Sequence, residues 1–349
     1  MRSWIGGPWF DSAFILGPGA ALAAFVACFP GFFQTHAVTT VVWGVLVLGV
    51  DVAHVYSTMY RTYFDPEEFR RRRMLYILAP SLGFLGFVVL YSLGAMVFWR
   101  VLAYLAVFHF VRQQYGLMMI YRRADPGPKW LDMAAIYAAT LYPLLWWHCH
   151  GRHFTWFIDG DFFQLHAPVL ANAVFPVYAA VLAAYAVREV SRRRHANIPA
   201  SLLLASTAAS WWVGIIALDS DLAFTATNIL AHGIPYMALI WLYGRGQRRP
   251  LFTVRWLPLF AAVPIGLAWI EEGFWDGFIW TEHPVLFRPF TILPVIGDSD
   301  ILVWLVPLLA LPPITHYILD AFIWRSRTGW KQTLFGSMDN IGIGLDQRP

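Results

Sequence analysis

Ten apolar stretches run through the chain, at 12–30, 36–60, 74–96, 98–121, 130–149, 168–187, 200–218, 222–243, 256–270 and 301–324. A run of about 20 mostly apolar residues crosses a bilayer as a helix. In hydrocarbon, only helices and closed barrels satisfy their own backbone polar groups. The expected fold is therefore all-α: a polytopic integral-membrane helical bundle of about ten spans. Composition agrees, at 58% hydrophobic and 13% charged residues, against about 45–50% and 25% in soluble domains. The ninth stretch is short, and is expected to be tilted, broken or longer than its apolar run. The spans make one transmembrane domain over 1–324, followed by a C-terminal tail over 325–349.

Basic residues mark the cytoplasmic ends of membrane helices. "RTYFDPEEFRRRR" (61–73), "RRADPGPK" (122–129), "REVSRRRH" (188–195), "GRGQRRPLFTVR" (244–255) and "RSRTGWK" (325–331) follow the second, fourth, sixth, eighth and tenth stretches. The opposite connections hold only Arg100, Arg152 and Arg288. Both termini are thus expected in the cytoplasm, and the setting is a multi-pass bacterial inner (plasma) membrane. Removing "GPGAALAAFVACFP" as a signal peptide would leave nine spans and upset this pattern, so it reads as a retained first helix. The net charge of +4 is explained by loops facing anionic lipid. No nucleic-acid motif accompanies it, and no GxGxxG or P-loop motif supports a nucleotide-driven mechanism. Cys28 and Cys149 both end spans at the outer face, where a disulfide is chemically permitted but two unrelated thiols fit as well.

The densest metal-like segment is "LLWWHCHGRHF" (144–154), with His148, Cys149, His150 and His153. On a helix, His148 and His150 point about 200° apart, and Gly151 is expected to end that helix. The segment falls at the outer face, where it either caps the bundle or binds metal adventitiously.

Ionisable groups inside spans are costly and usually functional. They fall on four helices: Asp51 and His54; His109, Arg112 and Gln113; Asn228 and His232; His316 and Asp320. Within each set the partners lie three or four residues apart, on one helical face. All four helices are even-numbered, and so run in the same direction. The histidines precede Arg61, Arg122, Arg245 and Arg325 by 7, 13, 13 and 9 residues, which places them roughly 10–20 Å from the cytoplasmic boundary. Four imidazoles at matching depth suit an iron, copper or zinc ion. Asp51 and Asp320 are either ligands or carboxylates that orient the imidazoles. Arg112 needs a counter-charge, from Asp51, Asp320 or an anionic substrate, and Arg112 and Gln113 are placed to position substrate or oxygen. Arg61, seven residues after His54, either greets an acidic head group or anchors the helix. Tyr115, Asn228 and Tyr236 are further candidates for lining the same cavity.

The order "DVAHV" (51–55), "HF" (109–110) and a late-span histidine, His232, resembles the bacterial integral-membrane β-carotene dioxygenases of the bacteriorhodopsin-related-protein family. That resemblance implies one non-haem iron held by intramembrane histidines, here His54, His109 and His232. Asn228 stands where that pattern has its other histidine, and His316 with Asp320 is the implied replacement. The dense HxxxH and HxxHH boxes of membrane desaturases and alkane hydroxylases are missing. What the resemblance implies is an iron-dependent oxygenase acting on a lipidic or hydrocarbon substrate, with or without an electron donor. A proton- or ion-coupled transporter built on the buried Asp, His and Arg is the alternative, and haem ligation by a histidine pair is a third. The amphipathic segments 153–168 and 271–290, which mix aromatics with acids, are expected to lie on the outer surface.

Overall fold

The computed structural model describes residues 3–152, 155–324 and Leu334. His153 and the rest of the tail over 325–349, including Arg325, lie outside the described residues. Among those described, the chain is helical and contains no strand.

The long helices are α1 (Pro8–Cys28), α2 (Thr40–Arg61), α3 (Arg73–Ser92), α4 (Ala95–Tyr121), α5 (Trp130–His150), α6 (Pro168–His195), α7 (Ile198–Ala217), α8 (Asp221–Gly246), α9 (Val254–Trp280), α10 (Ser299–Leu309) and α11 (Leu311–Ile323). Eight are long and apolar enough to cross a membrane, and α10 with α11 makes a ninth, bent span. Helix α5 has 21 residues but stands outside that set, because Asp132, His148 and His150 dilute its apolar run.

Helix starts follow local chemistry. Proline stands in the first turn of α1, α6, α7 and α11, where its missing N–H costs nothing. Asn197 caps α7 by accepting from the Ala200 N–H, and Ser220 caps α8 through the Ala223 N–H. Helix α5 ends as expected on Gly151, which takes a left-handed conformation at φ 63° that glycine adopts without strain.

Two expectations change. The ninth span does not stop at 270: α9 runs to Trp280, because neither "EE" nor "GFWDGF" offers a helix stop. Glu271, Glu272 and Asp276 are therefore helix residues, and the first part of the expected surface segment 271–290 belongs to the span. The tenth span is two helices bent by 43°. Ala310 leaves the helical conformation there, and Pro312 and Pro313 lack the N–H groups that would bond back across the break.

The chain forms two compact units, Met1–Thr39 with Trp99–Pro235, and Thr40–Phe98 with Tyr236–Pro349. In the first unit, small residues let α1, α7 and α8 approach closely. A Cβ on Gly19 would lie 2.7 Å from Ser210 Oγ and 3.0 Å from Ala231 Cβ, the small-residue contact that packs helices in lipid. Gln114 ties α4 to both neighbours, donating to the Ala231 carbonyl and accepting from Thr207. Cys28 and Cys149, both here, are free thiols.

Ion pairs close one end of this unit. Asp132, fully buried, accepts both guanidinium nitrogens of Arg188 at 2.5 and 3.0 Å and lies 3.0 Å from Arg122 Nε. Asp125, in the connection after α4, meets Arg122, Arg192 and the Asn197 amide. Burial pushes the Asp125 carboxyl up, but Asn197, Arg122 and Arg192 outweigh it and hold it below its ordinary 3.8. A carboxylate depressed in the folded state contributes stability above its unfolded pKa and loses it as pH falls through the folded value. Thermal scans in detergent from pH 6 to pH 3 should therefore show stability falling below about pH 4, with a shallower fall in Asp125→Asn. Identical slopes in the two proteins would refute the assignment.

In the second unit, α3 packs on α11, with Gly83 against Ile314 and Ile318. Helix α2 packs on α9, where Ala53 and Ala268 are fully buried beside Phe287.

Candidate metal centre

The helices that carry the histidines are irregular next to them. Helix α2 widens into π-helical turns over Gly44–Val52, directly before His54. Helix α8 does the same over Thr225–Ile229, three residues before His232. A π turn holds an extra residue and so re-aims the side chains that follow, and such turns recur at functional sites.

In the second unit, His54 and His316 face each other with ring centroids 5.0 Å apart, and both are 2% exposed. The expected three- and four-residue partnerships form: Asp51 Oδ1 lies 3.7 Å from His54 Nδ1, and Asp320 Oδ2 lies 3.9 Å from His316 Nε2. A hydrogen-bonded chain orients His316. Its Nδ1 is 2.7 Å from Thr58 Oγ1, which is 2.8 Å from Tyr236 Oη, which donates to Asp320 at 2.6 Å. With the Tyr236 proton on Asp320, the Thr58 proton goes to Tyr236, and His316 Nδ1–H donates to Thr58. That tautomer leaves the Nε2 lone pair for a metal. Tyr236 is thus an orienting residue, and Thr58 is a member of the site that the sequence reading missed. Nothing in its local pattern marks it, because its role depends on a residue 258 positions away.

In the first unit, His109 and His232 meet with centroids 4.9 Å apart, nearly perpendicular. His232 stacks on Phe110 at 3.6 Å, and Gln113 donates to its backbone carbonyl at 2.8 Å. Asn228 is buried and donates to Thr227, and its Oδ1 has no hydrogen-bond partner.

Each unit thus holds one pair of buried, facing imidazoles, His54 with His316 and His109 with His232. All four rings are buried, and neutral imidazole is the form that ligates.

The other candidates divide. Arg112 does not meet a carboxylate: it is exposed, bonded to Tyr137 Oη at 2.6 Å and stacked on Tyr115 at 4.6 Å. Tyr115 stacks on Tyr137 and has a packing role. Arg61 is 3% exposed, sandwiched between Tyr243 and Trp324 at 4.3 and 3.9 Å, and donates to the Ile323 carbonyl. It is a buried, aromatic-boxed cation rather than a solvated anchor.

The dense outer cluster is used for packing. His148 spends both nitrogens, on Tyr104 Oη at 2.8 Å and the Leu144 carbonyl at 2.6 Å. His150 bonds the Trp146 carbonyl and stacks on the Trp146 ring at 4.0 Å.

Helix α9 adds a group that the sequence reading assigned to the surface. Glu271 is buried and hydrogen-bonded to Tyr56 and Trp275. Glu272 lies within electrostatic reach of Glu271, Asp51 and Asp276. Together they place two further carboxyl groups near Asp51 in the second unit. The missed signal was the unbroken helical pattern through residue 270.

Thr58→Val is expected to weaken metal binding by about 10–100-fold, the usual worth of a group that orients a ligand. Metal retained per chain across a chelator series measures it; retention equal to the parent protein's would remove Thr58 from the site. Compared with family models, with curated proteins and with solved structures, the chain matches none.

Proposed function

We propose that this protein is a membrane-embedded metalloenzyme, a non-haem iron oxygenase acting on a lipidic or hydrocarbon substrate. The observation that carries the reading is a pair of buried, facing imidazoles in each unit, His54 with His316 and His109 with His232. Imidazole suits iron, copper and zinc, and iron is the metal that the motif resemblance implies. When bound, iron supplies oxygen activation at an open coordination position. The protein's own part is to fix the imidazoles, through the Thr58–Tyr236–Asp320 chain and the Phe110 stack, and to keep water from the site. A dioxygenase puts both oxygen atoms into product; a monooxygenase draws two electrons from a donor. On this reading the arginine-rich connections lie on the cytoplasmic side of a bacterial plasma membrane.

Metal analysis of protein purified in mild detergent tests the proposal. About one iron per chain is expected, and the absence of iron, copper and zinc would end it. The buried Glu271 and Asp276 and the half-buried Asp51 and Glu272 favour one second reading, a proton- or ion-coupled transporter. Substrate uptake by metal-free proteoliposomes that collapses with the proton gradient would select it.

A further inference from the structure

A groove of about 270 Å³ in the second unit is bordered by α2, α3 and the bent pair α10–α11, and His316 is part of its wall. Val55 and Met59 of α2, Pro80 of α3, and Leu308, Pro312 and Leu319 of the bent pair supply its apolar lining. The groove exists because α10 and α11 part at the Ala310 break instead of continuing as one helix. At its edge, Leu308 is 53% exposed on a span that crosses hydrocarbon.

Among the described residues, no aspartate, glutamate, lysine or arginine lines it. Its polar atoms are hydroxyls and one imidazole, and two of the hydroxyls are already committed: Thr62 donates to the Thr58 carbonyl at 2.9 Å, and Thr58 is held by His316 and Tyr236. The volume falls just below that of small-molecule sites, about 300–1,000 Å³, so the groove suits a narrow chain rather than a bulky ligand. A charged head group would be stripped of water here with nothing to pair it. An uncharged chain leaving the lipid loses nothing, because lipid tails are as apolar as leucine. For the same reason it gains little from burial, so recognition rests on shape and binding is saturable only at high probe-to-lipid ratios.

We propose that this groove seats an uncharged hydrocarbon chain that enters sideways from the bilayer and reaches His316. The proposal deepens the enzyme reading above and rests on it only for what happens at His316; occupancy of the groove stands apart from metal binding.

The test uses full-length protein in phosphatidylcholine nanodiscs, with hexadecane carrying one diazirine as the probe. Photolabelled positions and metal content are measured on the same sample. Labelling is expected on the peptides that hold Met59 and Pro312, suppressed at least fivefold by excess plain hexadecane and not by excess palmitate. Label on the lipid-facing Leu85 and Val89 of α3 should not saturate. Met59→Trp, which fills the groove, and Leu308→Trp, at an exposed edge position that tolerates bulk, should each remove the saturable part. The proposal is overturned if groove labelling does not saturate, if both variants label like the parent protein, or if palmitate competes as well as hexadecane. Bound metal without saturable labelling overturns the groove and leaves the metal centre; saturable labelling without metal overturns the metal centre and leaves the groove.

Discussion

His232→Ala and His54→Ala should each reduce bound metal from about one ion per chain to less than a tenth. Groups that merely orient a ligand are worth about 10–100-fold in affinity, and losing a ligand outright should exceed that. Alanine is the best helix former, and each histidine sits within a continuous helix, so the helices should persist and circular dichroism should match the parent protein. His148→Ala is the matched control. That residue belongs to the densest histidine cluster, but both of its nitrogens are spent on Tyr104 and Leu144. Elemental analysis of the three variants separates the two clusters. Metal retained in His232→Ala and lost in His148→Ala would reverse the assignment.

The second large effect is structural. Asp132→Ala should destabilise the protein by about 3–5 kcal/mol, the usual cost of removing one partner from a buried ion pair. Arg122 is 2% exposed and faces Asp132 and Asp125. Without Asp132 it keeps only the more exposed Asp125, and Arg188 loses a two-pronged carboxylate contact. In a chain of this size the loss corresponds to a fall in Tm of at least about 5 °C, read in detergent by tryptophan fluorescence. Arg188→Ala should cost less, because that side chain is 24% exposed and its removal leaves Asp132 paired with Arg122. A melting point for Asp132→Ala within a degree of the parent protein's would show that these pairs contribute nothing.

What was legible in the chain followed from local rules. Apolar length predicted nearly every span, and Gly151 marked the end of α5. Buried polarity picked out His54, His109, His232 and His316, because an imidazole in hydrocarbon is too costly to be incidental. The same rule misread Arg112, whose place three residues after His109 does not say that its own face of α4 is exposed. It also passed over Glu271 and Glu272, because apolar content falls off before the helix does.

The sequence alone therefore determined that this is a helical membrane protein, and which four histidines are buried in its helices: both follow from the cost of placing polar groups in lipid. Only the tertiary structure decided who orients them. Thr58, Tyr236 and Asp320 act through contacts between distant helices, and π turns before His54 and His232 set where the rings point. The uncharged groove beside His316 likewise exists only because α10 and α11 part at Ala310. Hydrogen bonds and cavities of this kind depend on register between helices, and one-dimensional spacing does not encode it.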